Sequence, residues 1–168
     1  VNLELTALVN NLEFFIVPVV NPDGYAFTWS SNRLWRKNRH AFGTCIGTDN
    51  NRNWGAGWGG EGAGTSPCDD TYRGPSAFSE LETQALRDYF IANPNIVSTI
   101  DFHSYSQLIL SPFGYTNALP PDHGIFTELN VAMHDAIQAV HGLSYTYGPI
   151  YTTIYPASGG SVDWCYVD

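Results

Sequence analysis

The sequence predicts an α/β fold, and three observations carry that reading. Continuous apolar runs rich in β-branched and aromatic residues cover 12–20, 97–102 and 107–113, the pattern of strands buried on both faces. Segments with helical periodicity alternate with them, the longest over about 122–141. No repeat, low-complexity tract or linker interrupts the chain, so residues 1–168 are expected to form a single domain.

The elements follow in order. VNLELTALVN reads as the middle or end of a helix, and the chain, which starts without Met, reads as a piece of a longer protein. The run 12–20 is the first expected strand, stopped by the turn chemistry of Asn21-Pro22-Asp23-Gly24. Residues 40–78 form a long irregular stretch. A helix is expected from Ser79, where S-E-L-E places Glu82 three residues on as a capping box, to Ala92 before Asn93-Pro94. Two strands, 97–102 and 107–113, come next. The helix over 122–141 carries Phe126, Leu129, Met133, Ile137 and Val140 at helical spacing and ends at Gly142. Residues 145–155 are extended or looped, and Ser161-Val162-Asp163-Trp164 starts a last helix.

Composition narrows the function. With 43% hydrophobic and 14% aromatic residues, the 168 residues can bury a core. The formal net charge of −9 argues against nucleic acid or a membrane surface as partner. The longest apolar run, 14–20, is too short to span a bilayer. Cys45 and Cys68 bracket a Gly-, Asn- and Trp-rich segment. A bridge between them would close a loop of about two dozen residues, worth about 3 kcal/mol, and would imply an oxidising compartment. Two unpaired core cysteines fit the composition equally well. Cys165 is expected to be a small buried hydrophobe.

The positive charges are unevenly placed. Of seven Lys and Arg, five lie between 33 and 52: Arg33, Arg36, Lys37, Arg39 and Arg52. Concentrating cations in an acidic protein suggests an anion site, and the preponderance of arginine favours a planar carboxylate or phosphate. Surface arginines paired with acids elsewhere are the plainer alternative. No Gly-rich phosphate loop accompanies them. His103, in T-I-D-F-H-S-Y-S, leaves an apolar run for a polar turn, a place suited to holding a metal or moving a proton. Neither H-E-x-x-H nor H-x-x-E occurs to accompany it.

Five stretches bring these features together: N21-P-D-G-Y-A-F-T-W29, R33-L-W-R-K-N-R39, D49-N-N-R-N-W54, F102-H-S-Y-S-Q107 and T152-T-I-Y-P-A-S-G-G-S-V-D-W164. In this order and spacing the chain resembles zinc metallocarboxypeptidases of the pancreatic A/B type, from about residue 12 to residue 164. The resemblance implies a mixed β-sheet flanked by helices, here incomplete at both ends. It also implies removal of single residues from peptide C-termini by a secreted enzyme, which is expected to be monomeric and to use one zinc ion.

Site residues follow from the same likeness. His103 matches a zinc ligand at the end of a central strand. The family's other two ligands, an upstream His-x-x-Glu, would lie before Val1, and its general-base glutamate would lie beyond Asp168. Arg36 matches the residue that polarises the scissile carbonyl. Asn51 and Arg52 match the pair gripping the substrate's terminal carboxylate. Tyr155 matches a tyrosine on a mobile loop, with hinge freedom from Gly159-Gly160. Arg33, Ser104 and Tyr105 match outer substrate subsites, and Cys45 and Cys68 match a disulfide of the pancreatic members.

Specificity is also implied. The family's basic-residue enzymes carry an acid at the pocket floor, where this chain has Val162. Gly114, Ile150, Ala157 and Gly160 match the pocket wall and are small or apolar. A cation there would lose hydration without a counter-charge, so aromatic or aliphatic C-terminal residues are expected. Asp163 should point away from the pocket. The 168 residues alone hold part of an active site and are expected to be inactive. The alternative function is a non-catalytic binder of peptide C-terminal carboxylates. A carbohydrate-binding module, suggested by five Trp, would need a solvent-facing aromatic platform and ranks lower.

Overall fold

The computed structural model describes residues 2–168. Its elements are α1 (Leu3–Asn11), α2 (Pro22–Ser30), β1 (Ala41–Phe42), β2 (Cys45–Ile46), α3 (Leu81–Ala92), β3 (Leu108–Ser111), α4 (His123–His141), β4 (Thr146–Pro149), α5 (Ile150–Thr153) and α6 (Ser161–Val167). β1 pairs antiparallel with β2, and β3 pairs parallel with β4, Leu108 opposite Thr146 and Ser111 opposite Pro149. The fold is mixed α/β, with both strand orientations present in two small sheets.

Several expectations are corrected. α1 is capped at its first turn: Asn2 accepts from the amides of Glu4 and Leu5, a side-chain N-cap. Val1 lies outside the described residues. Residues 12–20 and 97–102 form no strand, and all of 12–20 are exposed. Apolar sequence supplies the side chains of a buried strand, but its backbone groups need a neighbouring strand. Among the described residues neither segment has one. Asn21-Pro22-Asp23-Gly24 starts a helix instead of closing a turn. Asn21 Oδ1 accepts from Gly24 N at 2.9 Å and Pro22 sits in the first turn, where its missing N–H costs nothing.

The capping box at α3 also fails to form. Glu80, not Ser79, is the N-cap residue, and Ser79 Oγ donates to Glu80 Oε1. Glu80 is drawn inward because its carboxylate accepts from Asn38 Nδ2 at 2.7 Å and pairs with His40 Nδ1 at 2.9 Å. α4 and its left-handed stop at Gly142 agree with the sequence, but its apolar stripe does not. Leu129, Met133 and Val140 are exposed, while the buried residue is Asn130, which donates to Ser111 Oγ on β3.

The core sits under the irregular segment. Trp54, Ala56 and Trp164 are buried, with Phe78, Leu86, Phe90 and Cys165 packed against them. The Trp54 and Trp164 rings lie 5.3 Å apart. Burying each such side chain contributes about 1.5–3 kcal/mol. Polar bonds keep the loop 40–78 in one shape. The fully buried Asn53 donates to Arg73 O, Ser76 O and Ser79 Oγ and accepts from Glu80 N and Thr83 Oγ1. Cys45 and Cys68 form a disulfide with Cα atoms 5.0 Å apart, and Cys165 is free.

Candidate active site

The N-terminus of α2 begins the site. Asn21 Nδ2 donates to the carbonyls of Arg36 and Lys37, at 3.2 and 3.0 Å, and so fixes the backbone from which Arg36 projects. Arg36 Nε donates to Asp49 Oδ2 at 2.9 Å. Burial works against the Arg36 charge, and the Asp49 carboxylate more than offsets it, so its pKa lies above the ordinary arginine value. The same carboxylate organises the next turn. Asp49 Oδ1 accepts from Asn51 N at 3.0 Å, and Arg52 Nη1 lies 3.9 Å from Oδ2.

Arg52 is almost wholly buried, yet its guanidinium is held mainly by backbone oxygens: Nε by Gly62 O and Nη1 by Asn51 O, both at 2.8 Å. Arg36, Arg52, Glu61, Gly62, Thr71, Tyr155 and Pro156 line one cavity of ≈ 460 Å³. Tyr155 is exposed at its edge.

A second strand of contacts runs from Asn51 to His103. Asn51 Oδ1 accepts from Ser161 N at 3.0 Å, Ser161 Oγ donates to Asp101 Oδ2 at 2.6 Å, and Asp101 Oδ2 lies 2.9 Å from His103 Nε2. The hydrogen bond that His103 donates to Asp101 raises the His103 pKa above the ordinary histidine value. Burial alone would raise the Asp101 pKa, but the bonds from His103 and Ser161 hold it below the usual range. With Nε2 facing a carboxylate, the other ring nitrogen, Nδ1, is the one that would hold a metal, as where a carboxylate orients a metal-binding histidine. His103 therefore fits one position of a zinc site. Among the described residues no three His, Cys, Asp or Glu side chains cluster to complete it.

The implied pocket residues come together in part. A Cβ built on Gly114 would meet Ala157 O at 2.9 Å and Ile150 Cγ2 at 3.1 Å, and one on Gly160 would lie 3.8 Å from Ala157 O, so four of the five adjoin one another. Gly160 lies beside Asn51, where a Cβ would come 3.5 Å from Oδ1. Val162 is half-buried in α6. Asp163, expected to point away, instead lies against the implied wall: its carboxylate accepts from Gly114 N at 2.9 Å and Tyr115 N at 3.0 Å. Burial outweighs these bonds and pushes its pKa up to about 6.

The five clustered cations do not form one anion site. Only Arg36 and Arg52 line the cavity. Lys37 Nζ donates to Pro67 O, Arg39 stacks 3.7 Å from the Phe27 ring centroid, and Arg33 lies 4.7 Å from that of Trp29. Arg33, Ser104 and Tyr105 are all exposed and outside the cavity lining. Sequence reasoning missed Asp49, Asp101, Ser161, Glu61 and Thr71. Asp49 alone had a local signal, since it opens the D-N-N-R stretch.

A family model described as zinc carboxypeptidase matches residues 2–168. The chain belongs to the zinc carboxypeptidase family. It is 48% identical over 166 residues to carboxypeptidase A1 of Bos taurus, covering 96% of this chain and 39% of that protein. It is 47% identical over 168 residues to carboxypeptidase B of Homo sapiens, covering 98% and 40%. The crystal structure of thrombin activatable fibrinolysis inhibitor superposes with a TM-score of 0.92 at 40% identity, over 96% of this chain and 41% of that one. This zinc carboxypeptidase chain thus spans about two fifths of the length of the relatives it matches.

Proposed function

We propose that the protein containing this chain is a secreted, zinc-dependent exopeptidase that releases aromatic or aliphatic residues from peptide C-termini. The observation that carries the reading is the single Asp49 carboxylate that bonds Arg36 and the Asn51 amide beside buried Arg52. Two guanidinium groups on one cavity, with an exposed tyrosine at its edge, suit a substrate that ends in a carboxylate.

In this reading Arg52 and Asn51 bind the terminal carboxylate. Arg36, kept charged and aimed by Asp49, faces the scissile carbonyl and stabilises the oxygen as negative charge develops there. Tyr155 closes over the bound end and excludes water. His103, oriented by Asp101, would hold zinc through Nδ1 together with donors from elsewhere in the full protein. Zinc, when bound, supplies Lewis-acid polarisation and a water acidic enough to be deprotonated near neutral pH. The 168 residues by themselves, with one such donor, are proposed to be inactive.

Val162 and the wall formed by Gly114, Ile150, Ala157 and Gly160 support the apolar preference, since nothing among them would compensate a buried cation. The test compares kcat/KM of the full-length protein on matched peptides ending in Phe and in Arg. Phe should be strongly favoured and Val162→Asp should shift the preference toward Arg. A wild-type preference for Arg would defeat the proposal.

A further inference from the structure

Glu61 and Tyr151 lie ninety residues apart in sequence, and the Tyr151 hydroxyl donates to Glu61 Oε2 at 2.8 Å. Tyr151 sits in α5, four residues before Tyr155. On the other side of Tyr155, Ser158 N donates to Glu61 O at 3.1 Å. One residue, Glu61, therefore holds the Tyr155 segment at both of its ends, by side chain and by backbone. The next residue continues the path. Gly62 is in the left-handed region, φ 79°, and its backbone lies so close to Pro156 that a Cβ would fall on the Pro156 carbonyl oxygen. Gly62 O in turn accepts from Arg52 Nε at 2.8 Å.

Between these two anchors Tyr155 is free. The residue is 55% exposed, and its phenol makes no hydrogen bond among the described residues. Nearby anchors are firm: Tyr151 N donates to Phe113 O and Ala157 N to Gly114 O. The segment thus has a fixed base and a loose tip, and the Glu61–Tyr151 hydrogen bond is the solvent-exposed part of the base.

We propose that Glu61 is a positioning residue that latches the Tyr155 segment through Tyr151 and couples it, through Gly62, to Arg52. The inference rests on the reading above that Arg52 binds a carboxylate and Tyr155 closes over it. Holding the base in place lowers the ordering cost of closing the tip, so the latch acts on substrate binding rather than on the bond-breaking step. Tyr151→Phe removes the donor and keeps the ring. Glu61→Ala removes the acceptor, whereas Glu61→Gln keeps an oxygen that can accept from the phenol.

The experiment uses the full-length protein with a peptide ending in Phe, and hydrogen exchange of the unliganded protein. Tyr151→Phe and Glu61→Ala should each raise KM about three- to tenfold with kcat within about twofold, the range expected when a partly exposed, charge-assisted hydrogen bond is lost. The double variant should be no worse than either single one, and Glu61→Gln should stay near wild type. Amides of residues 152–158 should exchange faster in Tyr151→Phe, while those of the β1–β2 hairpin stay unchanged. Additive effects in the double variant, or unchanged exchange over 152–158, would overturn the latch. Exchange is read without substrate, so a wild-type protein inactive on C-terminal peptides would count against the exopeptidase reading while exchange still decides the latch.

Discussion

Asp49 Oδ2 accepts from Arg36 Nε at 2.9 Å, and this carboxylate is the hinge on which the candidate site is built. Its other oxygen takes the Asn51 amide, and Arg52 lies 3.9 Å away. Asp49 is itself almost fully buried. A buried carboxylate that aims a cation would act on both proposed functions at once, that of Arg36 toward the scissile carbonyl and that of Asn51 and Arg52 toward the terminal carboxylate. Asp49→Ala should therefore lower kcat/KM on a peptide ending in Phe by on the order of 10²-fold, the loss typical of a misplaced oxyanion donor. Steady-state kinetics on the full-length protein check this, and a loss below threefold would contradict it.

The second expectation concerns the metal. Asp101 fixes the His103 ring through Nε2 and is held in place by Ser161 Oγ. Removing an orienting carboxylate of this kind costs about 10- to 100-fold in metal affinity. Asp101→Asn in the full-length protein should lose zinc at a correspondingly lower chelator concentration. Equal retention of zinc by variant and wild type would show that Asp101 does not orient the ligand.

The third is a pH dependence. Asp163 is buried and its pKa is raised to about 6 in the fold, against an ordinary value of 3.8. The folded state binds the proton more tightly than the unfolded one. Its contribution is therefore fully present below about pH 4 and is lost as pH rises through 6, with a magnitude on the order of 2–3 kcal/mol. Urea midpoints measured between pH 4 and 7 should show this term for wild type and lack it for Asp163→Asn, which keeps an acceptor but does not titrate. Identical pH slopes in the two proteins would rule it out.

The legible parts of the fold were those set by local chemistry. Gly142 stops α4 in the left-handed conformation, and the α6 start at Ser161 follows the Gly-Gly pair. The strands expected at 12–20 and 97–102 do not form, because strand formation depends on a neighbour that the run itself does not encode. The Asn-Pro-Asp-Gly stretch misled for another reason: the same residues suit a turn and a helix N-terminus, and Asn21's long reach to Arg36 and Lys37 goes with the helix. Around the candidate site, Arg36 and Arg52, which line the cavity, and Asn51 and His103, which Ser161 and Asp101 link by contacts, were singled out from their motifs. Ser161 and Glu61 were not, since each acquires its partner across 60 residues or more, and Asp101, though two residues from His103, belongs to no pattern that marks it as that residue's partner.

The most direct test of the account asks whether the site reads a free carboxylate. Two peptides identical except for the last group, one ending in Phe with a free acid and one in Phe amide, are incubated with the full-length protein in zinc, and released residues are quantified. Phe should be released from the acid, with little or none from the amide, and Arg52→Ala should lose that discrimination. Equal cleavage of the two peptides by the wild-type protein would contradict it.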